Sequence, residues 1–107
     1  MSNRFSLEGK TAFVTGGSRG IGRAIAIGLA RAGADVAFTY RSQRTEAEKV
    51  TCEIEASGKR ALALQMDVTQ RADVEAASRD TKKAFGAISI LVNNAGINKP
   101  TDLDQVT

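Results

Sequence analysis

The chain has 107 residues, 42% hydrophobic and 25% charged, with a formal net charge of +3, and these values predict a single globular domain with a modest core. Its basic residues are dispersed among acidic ones and its aromatic content is only 5%, which argues against a nucleic-acid partner because such surfaces cluster positive charge and stacking rings. With no histidine and one cysteine, Cys52, the chain can form neither an intrachain disulfide nor a histidine-dependent triad or metal site, and this composition fits a reducing compartment.

The first predicted elements are a strand, a glycine-rich turn and a helix. The amino terminus, MSNRFSLEGK, lacks the apolar core of a signal peptide, and no apolar run reaches the length of a membrane span. We therefore expect a cytoplasmic protein with no membrane partner. Lys10–Thr15 has the character of a short buried strand, and the stretch TGGSRGIG follows at residues 15–22. A helical repeat then predicts a buried helix face formed by Ile21, Ile25, Gly28, Leu29 and Ala32, with Gly33 as the C-cap.

Strands and helices are predicted to alternate along the rest of the chain. Further strands are expected at Asp35–Tyr40, Arg60–Met66 and Ile88–Asn93, the last of which is apolar enough to be covered on both faces. Two helices separate them, one from Arg44 to Ser57 and one from an N-cap at Thr69 to Gly86. Their buried stripes are predicted at Ala47, Val50 and Ile54 in the first helix, and at Val74, Ala77, Thr81 and Phe85 in the second.

This β-α-β-α-β-α-β order predicts an α/β fold. Strands that alternate with helices imply right-handed crossovers and a parallel sheet. The strand order expected for such a chain is 3-2-1-4, with flanking helices, which is half of a Rossmann-type doubly wound sheet plus one strand. We therefore predict one truncated, partial Rossmann domain over residues 1–107.

The glycine-rich stretch falls between the first strand and the first helix of this fold. Backbone N–H groups and about half a unit of positive charge at the helix N-terminus make that turn suited to a phosphate. Gly16 is expected to permit the tight turn, Gly20 to allow close approach of a diphosphate, and Gly22 to let the helix pack against the sheet. The alternative is a glycine-rich turn with no ligand, but the strand–turn–helix context favours a dinucleotide.

Together with Asp67-Val68 and the tetrad NNAG at Asn93–Gly96, this turn resembles the short-chain dehydrogenase/reductase family. The similarity is greatest to its 3-oxoacyl-[acyl-carrier-protein] reductase-like branch and covers Leu7–Thr107. The resemblance implies a homo-oligomeric NAD(P)-dependent oxidoreductase that interconverts a small-molecule carbonyl and an alcohol by hydride transfer. It assigns the diphosphate and adenosine ribose to Gly16, Gly17, Ser18, Arg19, Gly20, Ile21 and Gly22. It assigns the adenine to Asp67 and Val68, and the lining of the cofactor cleft to Asn93, Ala95 and Gly96.

The end of the second strand predicts which cofactor is bound. Relatives that prefer NAD place an acidic residue there to bind the ribose 2′-hydroxyl. Here Tyr40 occupies that position and is followed by Arg41 and Ser42. A guanidinium can pair with a 2′-phosphate that a carboxylate would repel, and Arg19 offers a second cation. We predict that NADP(H) is preferred over NAD(H).

The resemblance also implies a catalytic Asn, a Ser and a Tyr-x-x-x-Lys motif, which are expected beyond these residues. The single tyrosine, Tyr40, has Arg44 rather than lysine four positions later and lies in the cofactor half. We therefore expect the chain to be the amino-terminal fragment of a longer reductase, inactive by itself; the alternative is a non-catalytic nucleotide-binding or interaction module. With Ile88–Val92 as a sheet edge, we expect marginal stability and either aggregation or edge-to-edge pairing.

Overall fold

The computed structural model describes residues 6–16, 20–66 and 70–93, in which helices lie on both faces of a parallel sheet. All seven elements described begin and end within two residues of their predicted bounds. They are β1 (Thr11–Thr15), α1 (Gly20–Arg31), β2 (Asp35–Tyr40), α2 (Arg44–Ala56), β3 (Ala61–Gln65), α3 (Arg71–Phe85) and β4 (Ile90–Asn93).

The four strands described form one sheet in the order β3-β2-β1-β4, and every neighbouring pair is parallel. The register places Phe13 of β1 beside Ala37 of β2 and Leu91 of β4. The predicted Rossmann-type strand order is therefore confirmed. Because all strands run the same way, their carboxyl ends meet at one edge, where the turn from β1 to α1 begins.

One face of the sheet packs against α1 and α2. Val14 and Phe38 are fully buried there against Val50 and Ile54, so the stripe predicted for α2 is confirmed. The stripe predicted for α1 is wrong, because Ile21 is 69% exposed. The residues that α1 buries are Gly22, Ala26, Ile27 and Ala30. Small residues at four-residue spacing let the helix backbone approach the sheet closely, and Ile25 and Leu29 pack only at the margin of this core.

The other face of the sheet packs against α3. Ala77 and Thr81 are buried as predicted, while Val74 and Phe85 are half-buried. The prediction that β4 is covered on both faces is wrong for the residues described. Ile90 and Val92 pack against the α1–α2 core, whereas Leu91 is 69% exposed, because α3 packs over β1 and β2 and leaves β4 uncovered.

The structure defines the residues that end α1 and begin α3. The Gly33 N–H donates to the Ala30 carbonyl at 3.0 Å and the Ala34 N–H to the Leu29 carbonyl at 3.1 Å. These two bonds form a Schellman motif, and φ of +117° at Gly33 confirms it as the glycine that ends α1. The N-cap predicted for α3 is wrong: Gln70, without a side-chain capping bond, takes that position, and Thr69 lies outside the described residues.

A salt bridge holds the amino-terminal edge of the sheet, opposite the glycine turn. The Asp35 carboxylate accepts hydrogen bonds from the Arg60 backbone N–H at 2.9 Å and from its guanidinium at 2.8 and 3.0 Å. The guanidinium also lies 4.7 Å from the centre of the Phe85 ring. Burial raises the pKa of Asp35, but the hydrogen bonds and charge of Arg60 outweigh it and hold this pKa below its ordinary value.

Candidate functional site

The carboxyl edge of the sheet carries the predicted site. Gly16 follows β1 directly with φ of +70°, and Gly20 begins α1 with φ of +57°, so a left-handed residue stands at each end of the turn. Side chains other than glycine rarely adopt this backbone. Apart from its chain neighbours and the backbone of its own helix, no atom of the described residues lies within 4 Å of a Cβ built on Gly20. Among the described residues, the space beside Gly20 is therefore open, and its role in the approach of a diphosphate stays a prediction.

The N-terminus of α1 provides favourable electrostatics for an anion. The first turn of α1 contains no acidic residue, so no carboxylate opposes the partial positive charge of the helix N-terminus. Its first N–H groups have no partner within the helix and are the donors that a phosphate uses in such folds. Ile21 is exposed beside them and Gly22 is buried against the sheet, as its predicted packing role requires.

Two buried threonine hydroxyls tie the strand ends together around the turn. The hydroxyl of Thr39, in β2, accepts a hydrogen bond from the Gly16 N–H at 2.9 Å. The hydroxyl of Thr15 donates to the Asn93 side-chain oxygen at 3.1 Å, with the Val92 carbonyl oxygen at 3.4 Å. Thr15 is 5% exposed and Thr39 is 1% exposed. Sequence reasoning missed both; their signal is a polar residue inside a buried strand beside the glycine turn.

The end of β2 presents an exposed arginine at the same edge. Arg41 and Ser42 are exposed immediately after the strand, while Tyr40 is half-buried against the α1–α2 core. The Arg41 carbonyl accepts a hydrogen bond from the Gln65 side-chain amide at 3.2 Å, which anchors the backbone. Within the part of the chain that the structure describes, the Arg41 guanidinium forms no salt bridge. Among the described residues, no carboxylate therefore neutralises its charge.

Half of the predicted site can be located in the structure. The residues brought to the carboxyl edge are Gly16, Gly20, Ile21, Gly22, Arg41, Ser42 and Asn93. The remaining ones lie outside the described residues, and they are Gly17, Ser18, Arg19, Asp67, Val68, Ala95 and Gly96. The roles of all fourteen in binding stay predictions.

Among residues 6–16, 20–66 and 70–93, no three His, Cys, Asp or Glu side chains are grouped to hold a metal ion. Over the same residues no helix has the length and hydrophobicity needed to cross a bilayer.

Comparisons with known proteins agree with this geometry. The family model described as short chain dehydrogenase matches residues 10–107. The chain is 42% identical over 101 residues to hydroxynaphthalene reductase arp2 of Aspergillus fumigatus, covering 94% of this chain and 37% of that protein. It is 44% identical over 90 residues to 3-oxoacyl-[acyl-carrier-protein] reductase FabG of Staphylococcus epidermidis, covering 84% of this chain and 37% of that protein.

A solved structure shows the same architecture with a nucleotide. The crystal structure of a short chain dehydrogenase from Burkholderia cenocepacia in complex with NADP has a TM-score of 0.83 and 51% identity to this chain. The match covers 94% of this chain and 41% of that one. The chain therefore spans well under half the length of the relatives that it matches.

Proposed function

Because the chain belongs to the short-chain dehydrogenase family, a family of oxidoreductases, we propose that its carboxyl edge binds NADP(H) in preference to NAD(H). The observation that carries this proposal is the exposed Arg41 at the end of β2, which has no carboxylate beside it at positions 40 to 43. A 2′-phosphate would pair with the guanidinium, whereas the ribose 2′-hydroxyl of NAD would lack the acidic partner that it usually has.

The residues present fit a dinucleotide. The open side of Gly20 and the N-terminus of α1 would accept the diphosphate, together with Gly16, Gly17, Ser18, Arg19, Ile21 and Gly22. Arg41 and Ser42 would hold the 2′-phosphate, and Asp67 and Val68 the adenine. Asn93, Ala95 and Gly96 would line the cleft toward the nicotinamide. When bound, the cofactor would supply the hydride, and the chain's own residues would hold and orient it.

The whole protein would interconvert a carbonyl and an alcohol on a small molecule. Reduction of a 3-oxoacyl thioester is one candidate reaction, because the chain is similar to FabG. The similar level of identity to a hydroxynaphthalene reductase supports a wider range of carbonyl substrates. The Tyr-x-x-x-Lys motif of the resemblance has no counterpart in this sequence, since Tyr40 is its single tyrosine and Arg44 lies four positions later. We propose one partial dinucleotide-binding domain at residues 1–107, which binds cofactor without turnover; the whole protein would be a cytoplasmic homo-oligomer.

The test is a titration of the chain with NADPH and with NADH, followed by nucleotide fluorescence. Arg41→Ala is expected to weaken NADPH binding on the order of tenfold, since a charge-assisted pair is lost, and to leave NADH binding unchanged. Arg31→Ala, which removes the same charge from the exposed C-terminal end of α1, is the matched control and should change neither affinity. Equal loss of both nucleotides in Arg41→Ala would contradict the role of Arg41. No binding of either nucleotide by wild type would overturn the cofactor site.

A further inference from the structure

The contact between Thr39 and Gly16 lies where the sheet ladder of β1 and β2 stops. The register between these strands ends at Val14 and Phe38. One position further, the Thr39 hydroxyl accepts the Gly16 N–H at 2.9 Å. A side chain of β2 therefore bonds to the residue that follows β1, beyond the last backbone pair of these two strands.

This contact acts on two parts of the candidate site at once. Gly16 has φ of +70°, so the direction of its peptide unit decides where the turn leaves the sheet. Thr39 lies two residues before Arg41, whose backbone is held from the other side by Gln65. The hydroxyl of Thr39, a residue that is 1% exposed, is thus the link between the glycine turn and the end of β2. The hydrogen bond is partly buried, and its 2.9 Å length gives that link a defined geometry.

We propose that Thr39 is a positioning residue for the nucleotide. By orienting the Gly16 peptide it sets the distance between the donors for the diphosphate and the cation for the 2′-phosphate. This inference rests on the proposed function. It predicts that loss of the hydroxyl lowers the affinity for a ligand that must reach both parts of the site, and leaves unchanged the affinity for a ligand that reaches only the Arg41 side.

The substitution Thr39→Val removes the hydroxyl and keeps the shape of the side chain. Thr81→Val is its matched control: Thr81 is 0% exposed, and its hydroxyl donates to the Ala77 carbonyl at 2.8 Å inside α3, away from the turn. Thr39→Ser retains the acceptor and is the conservative rescue. The probes are NADP⁺, which has both the diphosphate and the 2′-phosphate, and adenosine 2′-monophosphate, which has only the latter.

Thr39→Val is expected to weaken NADP⁺ binding about three- to tenfold, the loss of one hydrogen bond, and to leave the adenosine 2′-monophosphate affinity within twofold of wild type. Thr39→Ser and Thr81→Val should bind both ligands as wild type does. Amide hydrogen exchange without ligand should be faster at Gly16 in Thr39→Val and unchanged in the other two variants. This second readout reports the hydrogen bond itself, independently of nucleotide binding.

If the wild-type chain binds NADP⁺ and Thr39→Val binds it with the same affinity, the positioning role is overturned while the proposed function stands. Equal weakening of both ligands would also overturn it, since a general loss of structure would explain that result. Failure of wild type to bind either ligand would overturn the proposed function and this inference with it. If Thr39→Val does not fold, Thr39→Cys replaces it, because the cysteine side chain is close to that of serine in size but its thiol is only a weak hydrogen-bond acceptor. Thr39→Cys should then bind NADP⁺ more weakly than Thr39→Ser does.

Discussion

Replacement of Gly33 by alanine tests the packing at the end of α1. Gly33 has φ of +117°, and a Cβ built there would lie 2.8 Å from the Glu8 carboxylate and 2.9 Å from the Glu8 backbone nitrogen. The carboxylate can swing away, but the backbone nitrogen cannot, because the Leu7 N–H is held by the Ala32 carbonyl at 2.7 Å. Alanine must therefore strain its own backbone and also press against the segment before β1.

The magnitude follows from two contributions. A left-handed backbone costs an L-residue about 1–2 kcal/mol, and overpacking against fixed backbone adds about 1–3 kcal/mol. Gly33→Ala should therefore lower the free energy of unfolding by about 2–5 kcal/mol. Gly58, with φ of +83° and nothing within 4 Å of its built Cβ, carries the backbone contribution alone, so Gly58→Ala should cost about 1–2 kcal/mol. Gly28, which lies inside α1 in open space, should gain about 0.5–1 kcal/mol as alanine.

The assay is urea unfolding of the three variants, monitored by circular dichroism. A cost of this size should move the midpoint of Gly33→Ala down by about 1 M or more with an unchanged slope. Sulfate, which strengthens apolar burial, can be added equally to all samples if a folded baseline is missing. A Gly33→Ala midpoint no lower than that of Gly58→Ala would show that the Glu8 backbone does not resist the added methyl group. A loss of stability in Gly28→Ala would refute the assignment of its open surroundings.

Two further predictions concern stability and association. The pKa of Asp35 lies below its ordinary value of 3.8 in the folded chain, so the stability that its carboxylate contributes is present above pH 3.8 and is lost as the pH falls through the lowered pKa. Asp35→Asn should abolish this part of the acid sensitivity of urea unfolding. An unchanged dependence of stability on pH in Asp35→Asn would contradict this prediction. Leu91 is 69% exposed on edge strand β4, so Leu91→Gln should reduce the self-association that sedimentation measures. A wild-type chain that is already monomeric at high concentration would contradict this prediction.

The alternation of elements could be predicted from the sequence because its signals are local. Glycines at positions 33, 58 and 86 follow the helices closely, each with positive φ. Parallel strands joined by helices then leave few possible strand orders. The turn at Gly16 was predictable for the same reason, since its glycines follow a buried strand and begin a helix.

The failures arose where tertiary packing overrides local pattern. Hydrophobicity favoured Ile21 as a buried residue, yet α1 turns its small residues Gly22, Ala26 and Ala30 to the sheet because close approach buries more backbone. The apolar run of β4 suggested two covered faces, but coverage depends on which elements pack nearby. Thr39 was not predicted as part of the site because its partner, Gly16, lies 23 positions away, and only the strand register brings them together.

The proposed function requires that the carboxyl edge of the sheet binds the diphosphate of a dinucleotide. Its most direct test is a titration of the ¹⁵N-labelled chain with NADP⁺, followed residue by residue through the backbone amide resonances. We expect the largest shifts at Gly16, Gly20, Ile21 and Gly22, and unchanged amide resonances for Gly33 and Arg60 at the opposite edge. Saturable shifts confined to that opposite edge, or no shifts at the glycine turn at millimolar nucleotide, would contradict it.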